Sequence, residues 1–149
     1  MNNLYNKTDV DGILKRLDNL ESNAVRQWGK MDVAQMLGHL NAFLETALNR
    51  NPQRRMLIGR ILGRFLIKRY VSEKQFSKNR PTGKNYIFTD ELNFVKEKNK
   101  AIQLVKEFYE NGSEKCTKQH HPFFGTLTPN EWAIAQWKHF DHHLNQFGA

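Results

Sequence analysis

The sequence predicts an all-α fold, a four-helix-type bundle carrying an extra basic helix and long connections. Three observations predict it. Apolar residues recur at spacings of three and four, the period of one helix face, in separate stretches along the chain. Two stretches open on a capping box, Asp32 with Gln35 and Thr128 with Glu131, in which side chains satisfy free backbone N–H groups. No run alternates apolar and polar residues in the manner of a half-buried strand.

The first helix is predicted from Thr8-Asp9 as a cap, through Val10, Ile13, Leu14, Leu17 and Leu20. Around Glu21 to Lys30 the pattern breaks, and Gly29 marks a loop. The second helix begins near Asp32. Its stripe of Val33, Met36, Leu37, Leu40, Phe43, Leu44, Ala47 and Leu48 ends before Pro52.

Arg54 to Tyr70 is a third helical segment. It carries Arg54, Arg55, Arg60, Arg64, Lys68 and Arg69 with no acidic residue. Apolar residues fall on more than one of its sides, and Gly59 and Gly63 lie four apart on another. Ser72 to Phe88 reads as a connection long enough to be functional. Thr89 is read as the cap of a fourth helix whose core face holds Leu92, Val95, Ala101 or Ile102, Val105, Phe108 and Tyr109. Asn111-Gly112 stops it. A second connection runs from Ser113 to Thr128. The last helix opens on Thr128-Pro129 and reaches about Gln146.

A chain of 149 residues fits one domain. A domain of that size buries ~68–70% of the surface its unfolded chain exposes. The formal charge of +8 favours anionic partners through long-range steering. The single cysteine, Cys116, excludes an intramolecular disulfide and agrees with a reducing cytoplasm. The N-terminus has neither a basic leader nor an apolar run, so no secretory signal is expected. The stretch Met56 to Ile67 is too short, and too interrupted by Arg60 and Arg64, to span a bilayer.

Chemistry concentrates in the last helix. His139 and His143 stand at i and i+4, about 40° apart around the axis, so their imidazoles share one face. Such a pair binds one metal ion, as in His-Glu-x-x-His metalloproteases. A catalytic-type site needs a third protein ligand and an open position. His39 supplies the candidate, on the core-facing edge of the second helix beside Met36, Leu40 and Phe43. The expected centre is a divalent metal on His39, His139 and His143. Imidazole suits Zn, Ni, Fe and Cu alike, with Zn or Ni the first choices.

Gln136 and Gln146 share the ligand face and can orient an imidazole or a bound water. His142 is read as a surface residue, with an outer role at the site as the alternative. Asp141 points away from the ligand face. His120 and His121 precede Pro122-Phe123-Phe124-Gly125. Either one of them is a fourth ligand, or the two Phe residues plug the core while the His residues cap a turn.

These residues carry a family resemblance. His121-Pro122-Phe123-Phe124-Gly125, Leu127-Thr128, Glu131-Trp132 and the run Lys138 to Gly148 resemble a bacterial, uncharacterised branch of the DinB-like superfamily. Trp28-Gly29-Lys30-Met31 and Gln35 to Leu40 fit the same branch. The resemblance implies a four-helix bundle in an up-down-down-up arrangement. It also implies a metal triad of one His from the second helix and a His-x-x-x-His pair from the last, which falls on His39, His139 and His143. The superfamily is similar to enzymes that transfer or use low-molecular-weight thiols, such as bacillithiol transferases and mycothiol-dependent isomerases.

Two functional classes follow. The first is a metal-dependent transferase acting with a thiol. No carboxylate lies on the ligand face to act as a general base, which argues against a hydrolase. The second is a non-catalytic binding protein, whose Arg54–Arg69 segment meets phosphates or anionic lipid headgroups. The more ordinary reading of that segment is a solvated helix face packed against the bundle or a dimer partner. Few aromatics interleave with its cations, which argues against nucleic acid. Trp137, Ile134 and Leu144 lie opposite the His pair. They either pack inside the bundle or make a homodimer contact.

Overall fold

Five α-helices and no strand make up the molecule, described over residues 1–149 in a computed structural model. They are α1 (Lys7–Asn19), α2 (Val33–Ala47), α3 (Leu57–Tyr70), α4 (Phe94–Asn111) and α5 (Pro129–Gln146), with one 3-10 turn at Lys84–Tyr86. No helix is long and apolar enough to cross a membrane.

Local chemistry sets the boundaries. Both capping boxes form: Asp32 with Gln35 opens α2, and Thr128 with Glu131 opens α5, where Pro129 occupies the first turn. Two other starts differ from the sequence reading. α1 is capped by Asn6, whose side chain accepts from the Asp9 N–H, so Thr8 and Asp9 already lie inside the helix. α4 is capped by Asn93 rather than Thr89. The segment before it stays irregular and lays Phe88 and Leu92 over Gly38 of α2. Val95 is therefore exposed, and the core face of α4 is Ala101, Leu104, Val105 and Phe108.

Four helices enclose the core. α4 packs on α2 and α1, and α5 packs on the same two. Leu37, Leu40, Leu44, Val105, Phe108, Trp132, Phe140 and Leu144 fill the centre. α2 is buried on nearly every side, which explains why polar His39, Asn41 and Thr46 lie inside with it. Ile134 and Leu144 are buried within the chain, while Trp137 is half-buried.

α3 stands outside this ring. Its attachment is unusually close: a Cβ at Gly59 would lie 2.3 Å from the Phe123 carbonyl oxygen, and one at Gly63 2.2 Å. Those glycines therefore let helix backbone meet loop backbone. The Met56 N–H donates to the Pro122 carbonyl. The Lys138 ammonium of α5 donates to the carbonyls of Tyr70, Ser72 and Lys74, at 2.7, 2.5 and 2.9 Å. A cation at those carbonyls complements the negative end of the α3 dipole.

Candidate metal centre

Three buried imidazoles, those of His39, His139 and His143, meet where α2 faces α5. One ring nitrogen from each lies within 4.8 Å of the other two, close enough for all three to hold one metal ion. The Nε2 atoms of His39 and His139 are 2.9 Å apart.

Hydrogen bonding fixes two of the tautomers. His39 Nδ1 lies 2.8 Å from the Tyr86 carbonyl, which can only accept, so Nδ1 carries the proton and Nε2 keeps its lone pair. Tyr86 is itself pinned: its ring stacks on Phe43 at 3.8 Å, and its hydroxyl meets Thr46 Oγ1 at 3.1 Å.

His143 is set by a longer relay. Its Nδ1 lies 2.7 Å from Gln146 Oε1, and Gln146 Nε2 donates to the Trp28 carbonyl at 2.6 Å. A carbonyl cannot donate, so the Trp28 contact orients the Gln146 amide, and the amide oxygen takes the His143 Nδ1 proton. Gly29 makes the approach feasible. Its φ is +83°, and a Cβ there would fall 2.5 Å from Gln146 Nε2. The Trp28-Gly29 motif thus acts on His143 through Gln146.

His139 differs. Its Nδ1 is buried and has no partner. A buried unpaired nitrogen costs about 1–3 kcal/mol. In the metal-free state one proton serves the Nε2–Nε2 contact with His39, and the other nitrogen of His139 stays orphaned.

All three rings are neutral near pH 7. Burial pushes His39 down to about 4 and His143 down to about 3. Burial, then the neighbouring His39 and His143, holds His139 well below the ordinary imidazole range. Neutral imidazoles present the lone pairs that a metal requires. The donor set therefore suits a metal cation and contributes no negative charge.

His121 caps a turn. Its Nδ1 accepts from the N–H groups of Phe123 and Phe124 at 3.1 and 3.2 Å. Its Nε2 then carries the proton of the neutral ring and has no lone pair for a metal. Phe124 enters the core beside it, and His120 is exposed, meeting Thr126. Asp141 pairs with Arg16 at 2.7 Å, away from the triad. Gln136 directs its Nε2 at the Phe43 carbonyl rather than at an imidazole.

His142 is partly covered and forms part of a rim beside the site. Its ring lies 5.0 Å from His143, 5.6 Å from Trp28 and 5.9 Å from Phe76. Lys78 sits over Trp28 at 4.3 Å, and Arg80 over Phe76 at 5.3 Å. Neither cation pairs with a carboxylate. The sequence reading missed Tyr86, Thr46 and this rim. A backbone carbonyl leaves no side-chain signal, although Thr46 inside an apolar stripe was a hint.

The family model described as a protein of unknown function, DUF1569, matches residues 3–149. The chain belongs to that family. No curated protein and no solved structure matches it.

The relay through Gln146 is directly testable. Gln146→Leu removes the acceptor for His143 and frees its tautomer. Metal affinity is expected to fall roughly 10–100-fold, as for loss of other groups that orient a ligand. Competition titration with a chromophoric chelator measures it, and unchanged affinity would show that the relay does not orient His143.

Proposed function

We propose that this DUF1569 protein binds a divalent metal through Nε2 of His39, His139 and His143 and uses it to transfer a low-molecular-weight thiol onto an electrophilic carbon. The observation that carries the metal reading is the convergence of three buried neutral imidazoles, two with Nδ1 committed to a fixed acceptor. Helix directions support the finer fold assignment, a DinB-like bundle in up-down-down-up order: α1 runs parallel to α5, with Leu4 on Ala133 and Arg16 on Asp141, while Lys98 of α4 reaches back to Asp18 and Gln136 of α5 to Phe43 of α2.

A bound dication supplies Lewis acidity, lowering the pKa of a water or thiol beside it. The chain contributes the rest. Phe43 and Tyr86 wall the imidazoles off from water on one side. Lys78 and Arg80, on the His142 rim, are placed to hold carboxylates of a peptide-like thiol. In the transfer the sulfur forms a bond to an electrophilic carbon. Its proton passes to solvent, and the leaving group departs with the electron pair of the bond that breaks.

A second reading, a structural metal in a binding protein, is favoured by one observation: all three imidazoles are buried, at 3, 7 and 8% exposure. One experiment separates the two. Protein reconstituted with Zn or Ni is analysed for metal content, then mixed with bacillithiol or mycothiol and an aryl halide, and halide release is followed. Stoichiometric metal with metal-dependent halide release is expected. Stoichiometric metal without turnover would support the structural reading, and absence of stoichiometric metal would remove both.

A further inference from the structure

α3 carries an outward apolar face that nothing in the chain covers. Leu57, Ile61 and Phe65 are 77, 71 and 79% exposed, and Ile58 and Leu62 lie beside them. At about 100° per residue these five occupy one arc of roughly 140°. Gly59 and Gly63 occupy the opposite side, packed on the Phe123-Phe124 backbone. The orientation is therefore fixed by the glycine contact: the apolar arc points away from the molecule.

Cations border that arc. Arg60 and Arg64 flank it on one side, Lys68 and Arg69 lie within its two edges near the C-terminal end, and Arg54 precedes the helix. All five are exposed, and none is paired with a carboxylate. The segment from Arg54 to Tyr70 contains no acidic residue at all.

We infer that α3 is a membrane-surface anchor that lies in the headgroup region of an anionic bilayer, with Leu57, Ile61 and Phe65 inserted and the flanking cations on phosphates. The combination is that of an interfacial helix: an apolar face, a basic border and too little length to span. Charge decides between this occupant and a second copy of the chain. Two copies meeting through α3 would bring two acid-free basic segments together, whereas anionic headgroups complement them. Nucleic acid would satisfy the cations but leave the apolar arc in water.

The full chain is tested by flotation with vesicles of phosphatidylcholine alone and of phosphatidylcholine mixed with phosphatidylserine. The bound fraction should rise at least about tenfold with the anionic lipid and fall with added salt. The double variant Ile61→Glu/Phe65→Glu changes only exposed side chains, so its helical circular dichroism should match the wild type while flotation is lost. Arg60→Glu/Arg64→Glu should lose the preference for anionic lipid. Absence of flotation with anionic vesicles would overturn the inference, as would flotation undiminished in the Ile61→Glu/Phe65→Glu variant. A wild-type dimer that this variant converts to monomer, with no vesicle binding, would assign the face to a second copy instead. Binding to duplex DNA that both the wild type and this variant show equally, without vesicle binding, would assign it to nucleic acid.

Discussion

His139→Ala is expected to abolish stoichiometric metal binding while leaving the metal-free fold intact. Removing a ligand should cost more than the roughly 10–100-fold attached to an outer partner. Two imidazoles remain, and no carboxylate is at hand to replace the third. Truncating a large buried side chain ordinarily costs about 2–5 kcal/mol. The change deletes the orphaned Nδ1 of His139 but takes the partner from His39 Nε2, so the number of unpaired buried nitrogens stays the same. Metal content should therefore collapse while the metal-free protein still folds, with a lower unfolding midpoint. Elemental analysis after reconstitution and urea unfolding of the same samples read both. A variant that still holds one equivalent of metal would remove His139 from the site.

Acidification of the metal-free protein should have the second large effect. His39, His121, His139 and His143 are buried and neutral, each with its pKa pushed below the ordinary 6.5, first by burial. His121, driven to about 3, has Arg55 as its second cause. The sign follows from proton counting. Between the depressed folded values and 6.5, the unfolded chain binds more protons than the folded one. Stability is therefore fully present above about pH 6.5 and is lost as pH falls towards 3–4. Each such group withdraws about 1.4 kcal/mol per pH unit inside that window. By pH 5 four groups together approach the ~5–15 kcal/mol stability of an ordinary domain. The urea midpoint should be level above pH 7 and drop steeply from pH 6.5 to pH 5. His121→Asn, which keeps an acceptor at the turn, should flatten part of that drop. A midpoint unchanged between pH 7 and pH 5 would refute the assignment of buried neutral imidazoles.

The meeting of His39, His139 and His143 was legible in the sequence because helical periodicity is strict. A pair four apart must share a face, and a His inside an apolar stripe must face inward. The capping boxes were legible for the same reason, since both partners lie within three residues. Tertiary packing hid the start of α4. Thr89 and Asn93 are both adequate caps, and only the placement of Leu92 over Gly38 decides between them. It also hid α3. Apolar residues on several sides could not be sorted until the Phe123-Phe124 backbone was seen filling the Gly59–Gly63 side. The choice between ligand and turn cap for His121 depended on which nitrogen met the Phe123 and Phe124 N–H groups, a matter of ångströms rather than of spacing.

The contact between His39 and His139 joins residues 100 positions apart. Closing a loop of that length costs roughly 4 kcal/mol of chain entropy, before any constant offset. Partly folded chains therefore cannot preassemble the triad, and an ion meets three converging nitrogens only in the finished molecule. A ligand that recognises the native state alone adds RT ln(1 + [L]/Kd) to its stability. The imidazole cluster, which weakens the protein in acid, thereby becomes a latch that the ion closes across the chain.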